Sequence, residues 1–175
     1  MPLGSPLPEG RHSTSARITM IIKSNLPYYI YRAANTLYRW RIPVLPYLIQ
    51  QFLRFGFCCF IPYKTQIGRK NIHFGHNGLG VVLDYRCVIG ENVRIDQEVT
   101  IGIRWDEKTA PIIGNNVRIG AGAKVLGSIR VGNNARIGAN AVVLTDVPDG
   151  ATAVGVPARI IHKRELSLVD DGERE

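Results

Sequence analysis

Between residues 61 and 148 one six-residue pattern of apolar and polar positions recurs nine times. Each unit holds an aliphatic residue, usually a glycine next, two loose positions, a small or β-branched residue, and one more. The units begin at Ile61, Ile67, Leu83, Ile89, Ile95, Ile113, Ile119, Val131 and Ile137, with looser copies at Val125 and Val143. Their fifth positions are Thr65, Asn71, Cys87, Val93, Val99, Val117, Ala123, Ala135 and Ala141. A period of six is neither that of a helix nor the alternation of a plain strand. It fits a short strand plus a tight turn, with three such faces closing one coil of a parallel β-helix. The aliphatic residue then points inward and stacks on its equivalent one coil away. The glycine that follows suits a turn that needs positive φ or leaves no room for a Cβ.

The register breaks twice. Ile67 and Leu83 are 16 residues apart, two units plus four, and the surplus is expected around Phe74–Gly80. Ile101 and Ile113 are 12 apart, in phase by number. The middle unit there would put Glu107 into an apolar core, which is costly for an unpaired charge. Ile103–Pro111 is therefore expected to be a loop thrown out from the coil, and such loops are where chemistry tends to sit.

Upstream the spacing changes. Tyr28, Tyr29, Ile30, Leu37, Tyr38, Trp40, Leu48, Ile49, Phe52, Leu53 and Phe57 recur at helical intervals. Pro43 and Pro46 divide them into two predicted helices, about residues 28–41 and 46–57. The domain reading is a leader over 1–19, a helical segment over 20–60, a β-helix over 61–158, and an extension with an acidic tail over 159–175. Residues 159–168 read as a short basic helix or extension.

Charge adds one point to this picture. The net +8 is uneven: residues 20–60 carry five cations and no acid, whereas residues 61–175 carry 15 basic and 13 acidic groups. The repeat body has no basic stripe with interleaved aromatics, so nucleic-acid binding is not expected. The helical segment reads either as a cap over the open end of the coil or as a membrane-surface element. No run of 18 apolar residues and no signal-peptide pattern occur, and Cys58, Cys59 and Cys87 form neither a metal spacing nor a disulfide framework. The expected location is cytoplasmic.

The chemistry concentrates in FGHNGLGVV (74–82), VTIG (99–102), RIGAGAKVLG (118–127), ARIGANAVV (135–143) and VGVPARII (154–161). On these motifs, residues 60–163 resemble the hexapeptide-repeat acyltransferases. Within them the chain is similar to the serine acetyltransferase group and its relatives in surface-polysaccharide gene sets. The resemblance implies an all-β repeat fold, a left-handed parallel β-helix with a short N-terminal helical cap, assembled as a homotrimer. It also implies acetyl-CoA as acetyl donor, no metal, and His76 as the general base. An imidazole suits that task, taking a hydroxyl proton as the oxygen attacks the thioester carbonyl. By the same resemblance Ala121 and Ala139 meet the pantetheine arm and Gly102 lies near the thioester. Thr145, Arg159 and Lys163 hold the nucleotide end, where cations suit phosphates.

The departures bear on the acceptor. The resemblance implies an aspartate before the base, another at the start of the first coil, and a histidine in the projecting loop. Here those places hold Gly75, Phe60 and a loop without His. Asp84 or Asp96 could orient the base instead. Trp105 offers the flat apolar face on which sugar rings stack, so a carbohydrate hydroxyl is the expected acceptor and serine the alternative. Asn77, Asp84, Trp105 and Asp106 are the candidate acceptor-binding residues. A γ-type carbonic anhydrase would need three His ligands, and the repeat body contains His73 and His76 only. A non-catalytic β-helical scaffold is the remaining reading.

Overall fold

A computed structural model describes residues 25–105 and 107–161. Two helices, α1 (Leu26–Arg39) and α2 (Leu45–Gly56), precede a run of strands of two or three residues each. These are β1 (Gln66–Ile67), β2 (His73–Phe74), β3 (Val82–Leu83), β4 (Val88–Ile89), β5 (Arg94–Ile95), β6 (Thr100–Gly102) and β7 (Ile112–Ile113). They continue as β8 (Arg118–Ile119), β9 (Lys124–Leu126), β10 (Arg130–Val131), β11 (Arg136–Ile137), β12 (Val142–Val143), β13 (Thr152–Val154) and β14 (Arg159–Ile161).

Successive strands visit three sheets in turn. Sheet 1 has the order β1-β4-β7-β10, sheet 2 the order β2-β5-β8-β11-β13-β14 seen from its other edge, and sheet 3 the order β3-β6-β9-β12. Every pairing is parallel except β13 with β14. The result is a parallel β-helix whose interior is filled by columns of side chains. Leu83, Ile101, Val125 and Val143 form one column, and Ile95, Ile119, Ile137 and Ala153 part of another, all 3% exposed or less. The inward fifth positions Thr65, Cys87, Val93, Val99, Val117, Ala123, Ala135 and Ala141 are buried too. Burial pushes the Cys87 thiol up to about 12 and the Cys59 thiol up to about 11, so both behave as small core residues.

Asn71 corrects the pattern. It is exposed, with φ 53°, and Ile72 takes the inward place at 3% exposure. Four residues separate Ile67 from Ile72, where three separate Ile89 from Val93. The surplus of four therefore splits: one residue enters this turn, and three enter the turn between Phe74 and Val81. Asn71 joins Asn92, Asn116 and Asn134, all left-handed with φ between 53° and 59°. Asparagine tolerates that conformation better than other residues with a Cβ.

The first coil has no coil above it, and the helices supply its missing partners. Tyr31 Oη donates to the Thr65 carbonyl at 2.6 Å, Tyr28 Oη to Gly68 at 2.8 Å, and Asn35 Nδ2 to Tyr63 at 2.7 Å. Buried Asn25 imitates a strand. Its Nδ2 donates to the Ile72 carbonyl, and its Oδ1 accepts the Phe74 N–H at 3.0 Å. Open strand edges are a liability that proteins cover, and α1 covers this one with side-chain polar groups. At the other end β14 folds back antiparallel on β13. Residues 159–161 are thus strand, not helix; residues 162–175 lie outside the described set.

The loop between β6 and β7 projects as Ile103–Thr109, while Ala110 and Pro111 return to the buried coil. Glu107 accepts from Arg104 Nη2 at 3.0 Å and from the Ser128 N–H, which ties the loop to the next coil.

Candidate active site

His76 sits in a 3₁₀ turn, Gly75–Gly78, at the corner between sheet 2 and sheet 3. The three extra residues lift this turn clear of the coil, and the imidazole is exposed. His76 and Asn77 both adopt left-handed backbone, with φ 49° and 55°, followed by Gly78 at 68° and Gly80 at 69°. Two adjacent residues with a Cβ in that region cost roughly 1–2 kcal/mol each, less for Asn. Such backbone persists where the surroundings impose it and clusters at functional sites. Here hydrogen bonds from Gly80 N–H to the Cys58 carbonyl (2.9 Å) and from Val81 N–H to Gly78 (2.9 Å) hold the turn.

Gly75 has a specific neighbour. A Cβ there would lie 2.5 Å from Asp96 Oδ1, so the Asp96 carboxylate fills the place a side chain at 75 would take. Asp96 is partly exposed and pairs with Arg94 Nε at 2.9 Å. Beside them, desolvation lowers the pKa of His73, helped by Arg94 and opposed by Asp96. Asp84 behaves differently. Arg86 grips it through Nε at 2.9 Å and Nη2 at 2.8 Å, and these bonds hold the Asp84 carboxyl below the usual carboxylate range. Asp84 serves its own turn and stands at the other edge of sheet 3 from His76, so within one chain it does not orient that base.

The candidate residues divide between the two edges of sheet 3. His76, Asn77, Asp96, Ala121 and Ala139 lie on the corner that enters the sheet. Gly102, Asp84, Trp105 and Thr145 lie on the corner that leaves it. Ala121 and Ala139 stack one coil apart, and the Ala121 carbonyl accepts the Asn140 N–H at 2.8 Å. Gly102 is buried, and a Cβ there would make one ordinary contact, with Asp84 Cβ at 3.8 Å. Trp105, at the loop tip with φ 46°, is 91% exposed. Arg159 is exposed on β14 and has no ion-pair partner among the described residues. Asp106 and Lys163 lie outside the described residues. No cluster of three metal-ligating side chains occurs among those described.

The spacing of residues offers Asp96 alongside Asp84 as a group that could orient the base. It does not place Asp96 against Gly75. The usable signal is the pair itself: a glycine in the catalytic turn and an acid at the same corner one coil later.

Residues 110–145 match the family described as bacterial transferase hexapeptide, six repeats. The chain belongs to the hexapeptide-repeat transferases. Over 135 residues, 76% of this chain and 54% of the relative, it is 42% identical to a serine acetyltransferase of Synechococcus elongatus. Over 130 residues, 73% of this chain and 59% of the relative, it is 47% identical to a serine acetyltransferase of Staphylococcus xylosus. A serine acetyltransferase solved in complex with CoA superposes with a TM-score of 0.70 at 40% identity, covering 77% of this chain and 55% of that one. The chain thus spans little more than half the length of these relatives. With that likeness, the coil is the left-handed parallel β-helix that the family resemblance implied. All three of these proteins carry the name serine acetyltransferase.

Proposed function

We propose that this chain is an acetyl-CoA-dependent O-acetyltransferase whose acceptor is the hydroxyl of L-serine. The observation that carries the reading is the similarity to serine acetyltransferases across about three quarters of the chain, joined to an exposed His76 held in a left-handed turn. His76 removes the hydroxyl proton as the oxygen attacks the thioester carbonyl. The carbon–sulfur bond breaks, and the imidazolium returns its proton to the CoA sulfur. No acyl-enzyme forms. The two candidate groups flank sheet 3 on opposite edges, so one copy presents two half-sites. A site that holds both ends of acetyl-CoA then forms between neighbouring copies, in keeping with a homotrimer. Ala121 and Ala139 present backbone groups to the pantetheine amides. Gly102 lies near the thioester, and Thr145, Arg159 and Lys163 receive the nucleotide end.

Asp96 supplies the negative charge that the serine ammonium needs next to the base. Charge-assisted hydrogen bonds contribute about 1.5–3 kcal/mol, so Asp96→Asn is expected to raise KM for L-serine by ~10-fold or more. KM for acetyl-CoA is expected to stay unchanged in the same thiol-release assay. An unaltered serine KM removes Asp96 from the acceptor site.

A carbohydrate acceptor remains the second reading, on one observation: the ring of Trp105 stands 91% exposed in a loop that holds no histidine. Free-thiol release from acetyl-CoA, with L-serine in one arm and sugars and oligosaccharides in the others, separates the two. Turnover with serine is expected. Turnover with glycans alone transfers the assignment to the second reading. Turnover with neither, and no rise in melting temperature with acetyl-CoA, overturns both.

A further inference from the structure

Helix α2 turns its more apolar side outward. Leu45, Leu48, Phe52 and Phe55 project from one side of it, within an arc of about 80° at 100° per residue, and all four are exposed. Leu53 and Pro46, on the opposite side, are the buried ones. Val44, the residue that caps this helix, is also exposed, at 67%, and Phe55 reaches 78%. An exposed apolar helix face of this kind marks an interaction site.

Its surroundings say what kind. From residue 25 to residue 83 the chain holds seven lysines and arginines and no acid. Three of these cations, Arg39, Arg41 and Lys64, border an open hollow of about 540 Å³ with Tyr38, Tyr47 and Tyr63. The Lys64 ammonium stands 5.9 Å from the centroids of both Tyr38 and Tyr63. We infer that the outward face of α2 and this hollow together form a docking surface for an anionic phospholipid bilayer. Leu48, Phe52 and Phe55 enter the interface, and the three cations meet lipid phosphates.

The charge pattern favours a membrane over a two-fold contact between copies. A second copy packed on this face through a two-fold axis would set the same cations against themselves, with no acid nearby to compensate. An anionic membrane is complementary on both counts. Apolar side chains bury in the headgroup region, and each cation near the surface adds about 1 kcal/mol. The face belongs to the cap over the first coil, at the opposite end of the coil from β14. The inference is independent of which acceptor the enzyme uses.

Co-sedimentation of the full 175-residue chain with vesicles tests it. One arm uses phosphatidylcholine alone and the other phosphatidylcholine mixed with phosphatidylglycerol. Binding to the anionic vesicles at least ~10-fold tighter than to the neutral ones, weakened by salt, is expected. The variant Leu48→Ser/Phe52→Ser/Phe55→Ser and the variant Arg39→Glu/Arg41→Glu should each lose that binding. Both should stay folded, since the residues changed are exposed, the first with a small fall in melting temperature from the lost Phe52–Phe57 ring contact. Three results overturn the inference. One is no sedimentation with either vesicle. Another is equal binding by wild type and both variants. The third is a wild-type assembly larger than that of the apolar-to-serine variant with no vesicle binding, which makes the face a contact between copies.

Discussion

Replacing His76 with alanine is expected to lower acetyl transfer at least ~100-fold, the usual minimum for a general base, and to leave acetyl-CoA binding nearly intact. A tenfold loss corresponds to 1.36 kcal/mol of barrier, so the effect asks His76 for roughly 3 kcal/mol or more of transition-state stabilisation. The left-handed backbone at φ 49° complicates the alanine variant, because alanine sits there less readily. His76→Asn is the control. Asparagine keeps a side chain that tolerates the turn and removes the base, so the same loss of turnover with an unshifted melting temperature assigns the loss to chemistry. Thiol release measures the first quantity, and a thermal shift with acetyl-CoA the second. A loss under ~10-fold in both variants, below the range of a general base, moves the proton transfer elsewhere. His73 is then the group to test, being the other imidazole among the described residues.

Much of the architecture was legible because a six-residue period forces one side chain in each short strand into the interior. Ile95, Ile119 and Ile137 stack as that period requires. Where chain was inserted, the period could count the surplus but not place it. Asn71 and Ile72 exchanged roles because one extra residue entered their turn, which only the pairing of Phe74 with Ile95 reveals. The site was legible to the extent that it lies in local motifs. His76 stood out by its glycine neighbours. The contact between Gly75 and Asp96 did not, because it joins two coils through space, and a period separates inward from outward residues without saying which outward group fills the gap above a glycine. The acceptor is less legible for a related reason. The sequence offers Asp96 as a group for the base but does not place its carboxylate against Gly75, a contact between two coils.

The glycine that follows the aliphatic residue had two readings, positive φ or lack of space, and Gly90 separates them. Its φ is not in the left-handed region, nor are those of Gly68, Gly114 and Gly132 in the same column. Space is the cause. A Cβ on Gly90 would lie 2.6 Å from the Gly114 carbonyl oxygen and 2.7 Å from its carbon. That backbone cannot step aside cheaply, because Gly90 N–H bonds to Ile113 O at 2.9 Å and Gly114 N–H to Val131 O at 2.8 Å. Opening the gap lengthens ladder bonds on both sides of the added methyl. Gly90→Ala is therefore expected to cost about 3 kcal/mol, the upper range for overpacking. At 2–4 °C per kcal/mol for a chain of this size, that is a fall of ~6–12 °C in Tm. Gly150→Ala is the contrast. Gly150 has φ +70° and nothing within 4 Å of its Cβ position, so its cost is conformational alone, about 1 kcal/mol. If differential scanning calorimetry finds the two variants equally destabilised, coil-to-coil contact is not what reserves the Gly90 position for glycine.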